Sequence, residues 1–332
     1  MLSTSKNIAE NDSVRTFLNG LFDYAGLFPP ASLSLAAAIE EYSSYRTGGD
    51  RWMIGPFVIP VLKLDELSDF VDVFDAANPL RLSVLFRNDP DLGEQKKVLL
   101  EDLNYVSNFE IRQKGGAVAE MIEMRVPTTF SSDDLRANQF TDLLFESVRS
   151  TTTGISSVFL EVNRDSDFTD RVSSIARSTA RFSGNKLRMG MKIRCGGVNQ
   201  EDYPSINELA QFIDTVTRAG VPFKATAGLH HPVRHFNEKA GVTMHGFFNV
   251  FFGAALASFH DLSLEEIESI LGEVQPNAFT FTDSDVTWHD LSVPREHLAS
   301  TRTMAALSIG SCSFDEPRQD MVDLSWLKTT YI

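Results

Sequence analysis

Residues 188–226 read RMGMKIRCGGVNQEDYPSINELAQFIDTVTRAGVPFKAT. The stretch opens with a β-rich run at 188–195 and turns at Gly196–Gly197. It then sets apolar residues at helical spacing over 205–219. Ser205 and Glu208 stand three apart, so the hydroxyl can accept from a first-turn backbone N–H while the carboxylate reaches back, and Gly220 stops the helix. A second β run, 222–226, follows at once. Strand, crossover helix and strand in that order make one unit of a parallel sheet.

The same alternation extends upstream. Runs at 56–61, 81–86, 117–125 and 157–162 are each followed by an amphipathic segment, at 65–76, 92–106, 132–149 and 168–182. The segment at 132–149 opens with Ser131-Ser132-Asp133-Asp134, an N-cap signal. Downstream come helical segments at 245–258 and 263–271, a seventh strand at 278–282 with a helix at 295–306, and an eighth strand at 307–313 with a helical turn at 321–327. A helix at 13–22 precedes the repeat. Eight units predict an α/β fold of the (β/α)8 TIM barrel type with an extra N-terminal helix. They are expected to form one domain over 1–332, with residues 1–30 docking on the barrel. The run at 115–127 is long enough to hold a bulge, and the eighth strand is short and contains Gly310. A doubly wound sheet is the alternative. No G-x-G-x-x-G or G-x-x-x-x-G-K-[ST] follows the first strand, which argues against a nucleotide-binding unit.

With 332 residues, 42% of them hydrophobic and 23% charged, the chain can bury a large core. The net charge of −15 makes nucleic acid and anionic lipid poor partners. Two cysteines, Cys195 and Cys312, do not make a disulfide scaffold and read as free thiols of a cytoplasmic protein. The N-terminus is polar, unlike a secretion signal, and the longest apolar stretch, 246–259, is short for a bilayer and holds Asn249. The expected partner is a small-molecule substrate, with a homo-oligomer left open and no membrane.

In a barrel of this type the chemistry gathers at the C-terminal ends of the strands. Strands enclosed on both faces should be apolar, and a charge inside one has a large desolvation cost unless it is paired or used. Here Glu123 and Arg125 share a face of the third strand, Glu161 ends the fourth, Lys192 and Arg194 share a face of the fifth, and Lys224 lies on the sixth. A structural ion-pair network is one reading of this set. The other is an active site in which a desolvated lysine becomes a neutral nucleophile toward a carbonyl, its proton affinity lowered further by a second cation. By that reading Lys224 is the nucleophile and Lys192 lowers its pKa. His230 and His231, just past the sixth strand, offer acid/base or metal-ligand chemistry. Arg194 with Gly196 and Gly197 can grip an anion. Ser311 and Ser313 fall near the phosphate site common in barrels, and Asp23 or Tyr24 can reach a mouth from the rigid segment 22–30. The phenylalanines at 247, 248, 251 and 252 follow helical spacing and read as core.

The segments DYAGLFPPA from Asp23, KIRCGG from Lys192, KATAGLHHP from Lys224, HGFFNVFFGA from His245 and GSCSFDEP from Gly310 resemble an uncharacterised bacterial (β/α)8-barrel family, which implies the barrel and assigns no reaction. Residues 223–228, FKATAG, are similar to the strand-six K-T-S-T-G of deoxyribose-phosphate-type class I aldolases. That likeness implies a Schiff base on Lys224. The second lysine of those aldolases lies on strand seven, where this chain has none and carries Lys192 on strand five instead. Three functions follow. The first is an aldolase-like lyase without a cofactor: Lys224 attacks, Glu161 or His230 moves protons, Arg194 holds a carboxylate or phosphate, and Arg125, Glu123, Asp23, Tyr24, Gly196, Gly197, Ser311 and Ser313 line the substrate. The second is a hydrolase or isomerase dependent on a divalent metal held by His230, His231, Glu161 and Asp283. The third is a non-catalytic barrel that binds a metabolite.

Overall fold

Eight parallel strands close into a barrel in the computed structural model, which describes residues 12–238 and 240–328. The polar N-terminal residues 1–11 lie outside the described residues. The barrel strands are β1 (Phe22–Tyr24), β2 (Ile54–Pro60), β3 (Leu80–Leu85), β4 (Ala117–Arg125), β5 (Ser157–Glu161), β6 (Arg188–Arg194), β7 (Phe223–Thr226) and β8 (Ala306–Ser311). Each pairs with its sequence neighbours, and β1 closes the ring against β8 with Asp23 opposite Gly310. Helices cross from strand to strand on the outside, as the alternation predicts.

One of the eight barrel strands is not among those expected, and one expected strand lies outside the barrel. The N-terminal helix stops at Leu18 rather than reaching 22, because the chain turns at Gly20, whose φ is +58°. Phe22–Tyr24 is then the first barrel strand instead of part of a docking segment. Three residues are too few to display a period of two, so the strand was invisible to a pattern search. Conversely, the run expected as strand seven lies outside the barrel. Phe279–Phe281 pairs antiparallel with Asp285–Trp288, which pairs antiparallel with Leu291–Pro294. Connections this short make hairpins, since a parallel crossover needs a dozen residues or more. The small sheet packs through Phe279 and Phe281 on Phe248 and Trp326.

Local signals elsewhere act as read. Ser205 Oγ accepts from Glu208 N at 3.1 Å, and Glu208 Oε2 accepts from Ser205 N at 2.7 Å, opening the helix Ile206–Arg218. Asp133 caps the helix Asp134–Arg149 through Arg136 N at 2.9 Å. The helix Leu92–Gln113 runs about two turns past its expected end. The last helix, Asp315–Asp323, starts earlier than expected, with Ser313 Oγ accepting from Glu316 N. The helix Phe247–His260 is apolar all round and buried from Phe247 to Ala257, as a helix enclosed on every side must be. In β4 the expected bulge is present: Leu82 faces Ala119 but Ser83 faces Met121, so Glu120 is the extra residue. No described helix is long and apolar enough to cross a membrane.

Candidate active site

The outer faces of the strands pack apolar residues against the helices, but the inside of the barrel holds a row of charges. Asp23 Oδ2 lies 2.5 Å from Lys224 Nζ, and Lys224 Nζ lies 2.5 Å from Glu123 Oε1. The other oxygen of Glu123 is 2.9 Å from Lys192 Nζ, which is 2.8 Å from Glu161 Oε2. Arg125 Nη2 closes the row at 2.9 Å from Glu161 Oε1. Signs alternate along all six groups, and the formal charges sum to zero. Strand register brings them together: Lys192 is opposite both Lys224 and Glu161, and Arg125 is opposite Glu161. Hydroxyls complete the inner end. Ser308 Oγ donates to Asp23 Oδ2 at 2.7 Å, and Ser83 Oγ donates to Glu123 Oε1 at 2.6 Å.

Exposure fixes which end of the row meets solvent. The side chains of Asp23 and Lys224 are fully enclosed, Glu123 is 3% exposed, Lys192 and Glu161 are 8% exposed, and Arg125 is 53% exposed. The Phe159 ring lies 5.6 Å from Lys224 Nζ. Gly190 on β6 makes room for that ring, because a Cβ there would stand 2.6 Å from Phe159 Cε1. Gly55 serves Asp23 in the same way, since a Cβ would collide with its Oδ1, a buried oxygen with no hydrogen-bond donor among the described residues.

The electrostatics correct one expectation. Lys192 does not lower the proton affinity of Lys224. Burial pulls the Lys224 ammonium down, but Asp23 and Glu123 more than offset it and hold its pKa above the ordinary lysine value. Lys192 is likewise held above its ordinary value against burial, by Glu161 and Glu123. Burial raises Glu123, yet the two lysines bring it well below the usual carboxylate range; burial raises Glu161 too, and Lys192 and Arg125 hold it below its ordinary value. Asp23 differs: burial outweighs Lys224 and leaves its pKa raised above the ordinary aspartate value. A lysine between two carboxylates is stabilised as a cation, whichever lysine stands on the neighbouring strand.

The other residues singled out from sequence divide into groups. Arg194 shares the Lys192 face of β6, is exposed, and has no hydrogen-bond or ion-pair partner among the described residues. Gly196 and Gly197 serve loop packing: a Cβ on Gly196 would meet the Gly228 backbone at 2.7 Å, and one on Gly197 would strike the Asp202 carboxylate. Ser311 and Ser313 build the turn into the last helix, with Ser311 Oγ donating to Ser313 O at 2.6 Å. Tyr24 points away from the row, stacks near Tyr42 and bonds to Glu41.

His230 and His231 find their partners on and beside the last helix. His230 Nδ1 is 2.9 Å from Glu316 Oε2 and its Nε2 is 4.0 Å from Cys312 Sγ, while His231 Nδ1 pairs with Asp320. Asp283 belongs to the peripheral antiparallel sheet, in the turn after Phe281, and Glu161 is taken up by Lys192 and Arg125. His230, His231, Glu161 and Asp283 are therefore not gathered. Among the described residues no group of three or more His, Cys, Asp or Glu side chains is arranged to hold a metal ion. His245 is enclosed and links loops, with Nε2 2.8 Å from Pro204 O and Nδ1 3.0 Å from Arg234 Nη1. Ser83 and Ser308 were missed, although Ser83 is the one hydroxyl in LRLSVL and Ser308 stands between two large aliphatic residues in ALSIGS.

No family model and no curated protein matches this chain. Among solved structures, the chain is similar to a tetrameric deoxyribose phosphate aldolase from Aeropyrum pernix, with 11% identity over 69% of this chain and 87% of that one and a TM-score of 0.42.

Proposed function

We propose that this barrel is a small-molecule lyase of the aldolase type, which forms a Schiff base between a barrel lysine and a carbonyl substrate bearing a carboxylate or phosphate. The observation that carries the reading is the exposure gradient along the charge row, which leaves Lys192 as the lysine nearest solvent, with the unpartnered Arg194 two residues further along the same face. Arg194 and Arg125 hold the substrate anion, Arg194 through its free guanidinium fork. Lys192 is the amine that attacks. Lys224, fully enclosed, is a positioning residue that holds Glu123 in place.

A proton shift within the row supplies the neutral amine. In a site cleared of water, an ammonium–carboxylate pair and the neutral amine–acid pair come closer in energy, because desolvation penalises the two separated charges. Lys192 passes a proton to Glu161, and its nitrogen then adds to the carbonyl carbon while the π pair moves to oxygen; one proton of that nitrogen passes to the oxygen and makes it a hydroxyl. Glu161 returns its proton to the departing hydroxyl, which leaves as water. The resulting iminium takes up the electron pair of the Cα–Cβ bond as that bond breaks and becomes an enamine, while the β-hydroxyl gives its proton to the Glu161 carboxylate and its carbon leaves as an aldehyde.

Borohydride trapping tests the reading. The chain is incubated with pyruvate, glyoxylate and glyceraldehyde 3-phosphate in turn, reduced and mapped by peptide mass spectrometry. A reduced adduct on Lys192 is expected, and it should disappear in Lys192→Met. An adduct on Lys224 keeps the chemistry and transfers the nucleophile inward. No adduct at saturating concentrations of any of the three sinks the proposal and favours a barrel that only binds its ligand.

A further inference from the structure

A cysteine thiol, Cys312, stands just past the C-terminal end of β8. Ser308 points into the barrel at Asp23, and Cys312 lies in the bend that directly follows the strand's last residue, Ser311. Cys312 retains 8% of its surface. Cys312 Sγ is 4.0 Å from His230 Nε2, and the opposite ring nitrogen is 2.9 Å from Glu316 Oε2. Thiol, imidazole and carboxylate thus stand in a row, with a base beside the thiol and a carboxylate within ion-pair range of that base, at an angle that makes no hydrogen bond to His230 Nδ1. Two adjacent loops supply them, since His230 follows β7 and Glu316 opens the helix after β8. Cys195 has none of this. It is fully enclosed, and burial, only partly offset by Arg164 and Arg194, pushes its thiol up to about 12.

We infer that Cys312 is a nucleophilic thiol activated by His230 and oriented through Glu316, and that it takes the electrophilic carbon of an aldehyde. The thiol proton rests on His230 Nε2 while the sulfur adds to the carbonyl carbon. The C=O π pair moves to oxygen, and His230 delivers the proton there. The product is a thiohemiacetal, formed with no leaving group and no oxidant. The inference does not rest on the Schiff-base reading, because it is read out at sulfur and needs no lysine.

Iodoacetamide is the probe, with both cysteines followed by peptide mass spectrometry on the native chain at pH 7. Sulfur–carbon bond formation expels iodide, so the rate reports thiol activation. Cys312 is expected to react about tenfold or more faster than in His230→Gln. Glu316→Gln should lie between the two, and Cys195 should stay unmodified until the chain is denatured. Excess propanal should slow alkylation of Cys312. Equal rates in the parent and both folded variants overturn the activation, as does a Cys312 no faster than Cys195. Absence of propanal protection overturns the aldehyde assignment. If His230→Gln does not fold, Glu316→Gln decides alone.

Discussion

Lys224 Nζ stands 2.5 Å from Asp23 Oδ2 with neither side chain touching solvent, which makes them the innermost ion pair of the barrel. Removing Asp23 leaves the enclosed Lys224 ammonium with Glu123 as its one carboxylate and no water to replace the other. Asp23→Asn is therefore expected to destabilise the fold by about 3–5 kcal/mol, while the double variant Asp23→Asn/Lys224→Met should recover part of that loss. Urea denaturation of the parent, Asp23→Asn, Lys224→Met and the double variant checks this. A double variant as unstable as the sum of the singles would mean that the pair does not act as a unit.

Stability should fall on the acid side because of Glu123 and Glu161. Both are held below the ordinary carboxylate value of 4.5, burial being outweighed by the neighbouring lysines. A depressed folded pKa contributes stability above the unfolded value, and the contribution is lost as pH falls through the folded one. Thermal melts recorded from pH 6 down should decline from about 4.5 downward. Glu123→Gln should start lower and decline less steeply; a slope equal to that of the parent would exclude Glu123 as a source.

Two histidines should separate in an NMR titration. Burial pulls His230 down, but Cys312 and Glu316 more than offset it and push its pKa up to about 9. Burial lowers His245, outweighing its bond to the Pro204 carbonyl, to about 4. His230 thus adds stability below 6.5 that is lost as pH rises through about 9, and His245 adds stability above 6.5 that is lost as pH falls through about 4. The ring-proton signal missing from His230→Gln should titrate well above neutrality. If it titrates at the ordinary 6.5, its contacts with Cys312 and Glu316 are not made in solution.

Arg302 is a fully buried cation that caps backbone carbonyls rather than pairing with an acid. It donates to Phe17 O at 2.7 Å and to Ala306 O, and burial pulls its pKa down to about 9. Arg302→Met should leave those acceptors without a side-chain donor and cost about 1–3 kcal/mol. Arg302→Lys should not restore the loss, since one ammonium cannot reproduce the planar fork. Chemical denaturation of both variants is the check.

Much of this was legible in the sequence, and the failures share a cause. The capping box at Ser205 and Glu208 and the β runs carrying Lys192 and Lys224 are periodic and local, so they could be read directly. β1 is three residues long, and the 279–294 sheet is built from hairpins whose direction depends on turn length rather than on pattern. The clustering of Glu123, Glu161, Lys192 and Lys224 followed from their places near strand ends. Their pairing did not, because sign alternation across five strands is a property of register. The sequence suggested two cations repelling one another; the register interleaved a carboxylate between them.

The β1–β8 closure also sets an order of assembly. Asp23 and Ser308, hydrogen-bonded inside the barrel, are 285 positions apart in the chain. Seven strands can zip to their neighbours as they emerge, but the seam between first and last must wait until Ser311 has been made. Until then Lys224 has a single carboxylate, and the open edge of β1 is bare. Contacts of such sequence separation form late, so the last step of folding and the completion of the inner ion pair are one event. Agents that trap unsealed barrels should therefore find the interior charges open to water and the lysines reactive, a state the native protein conceals.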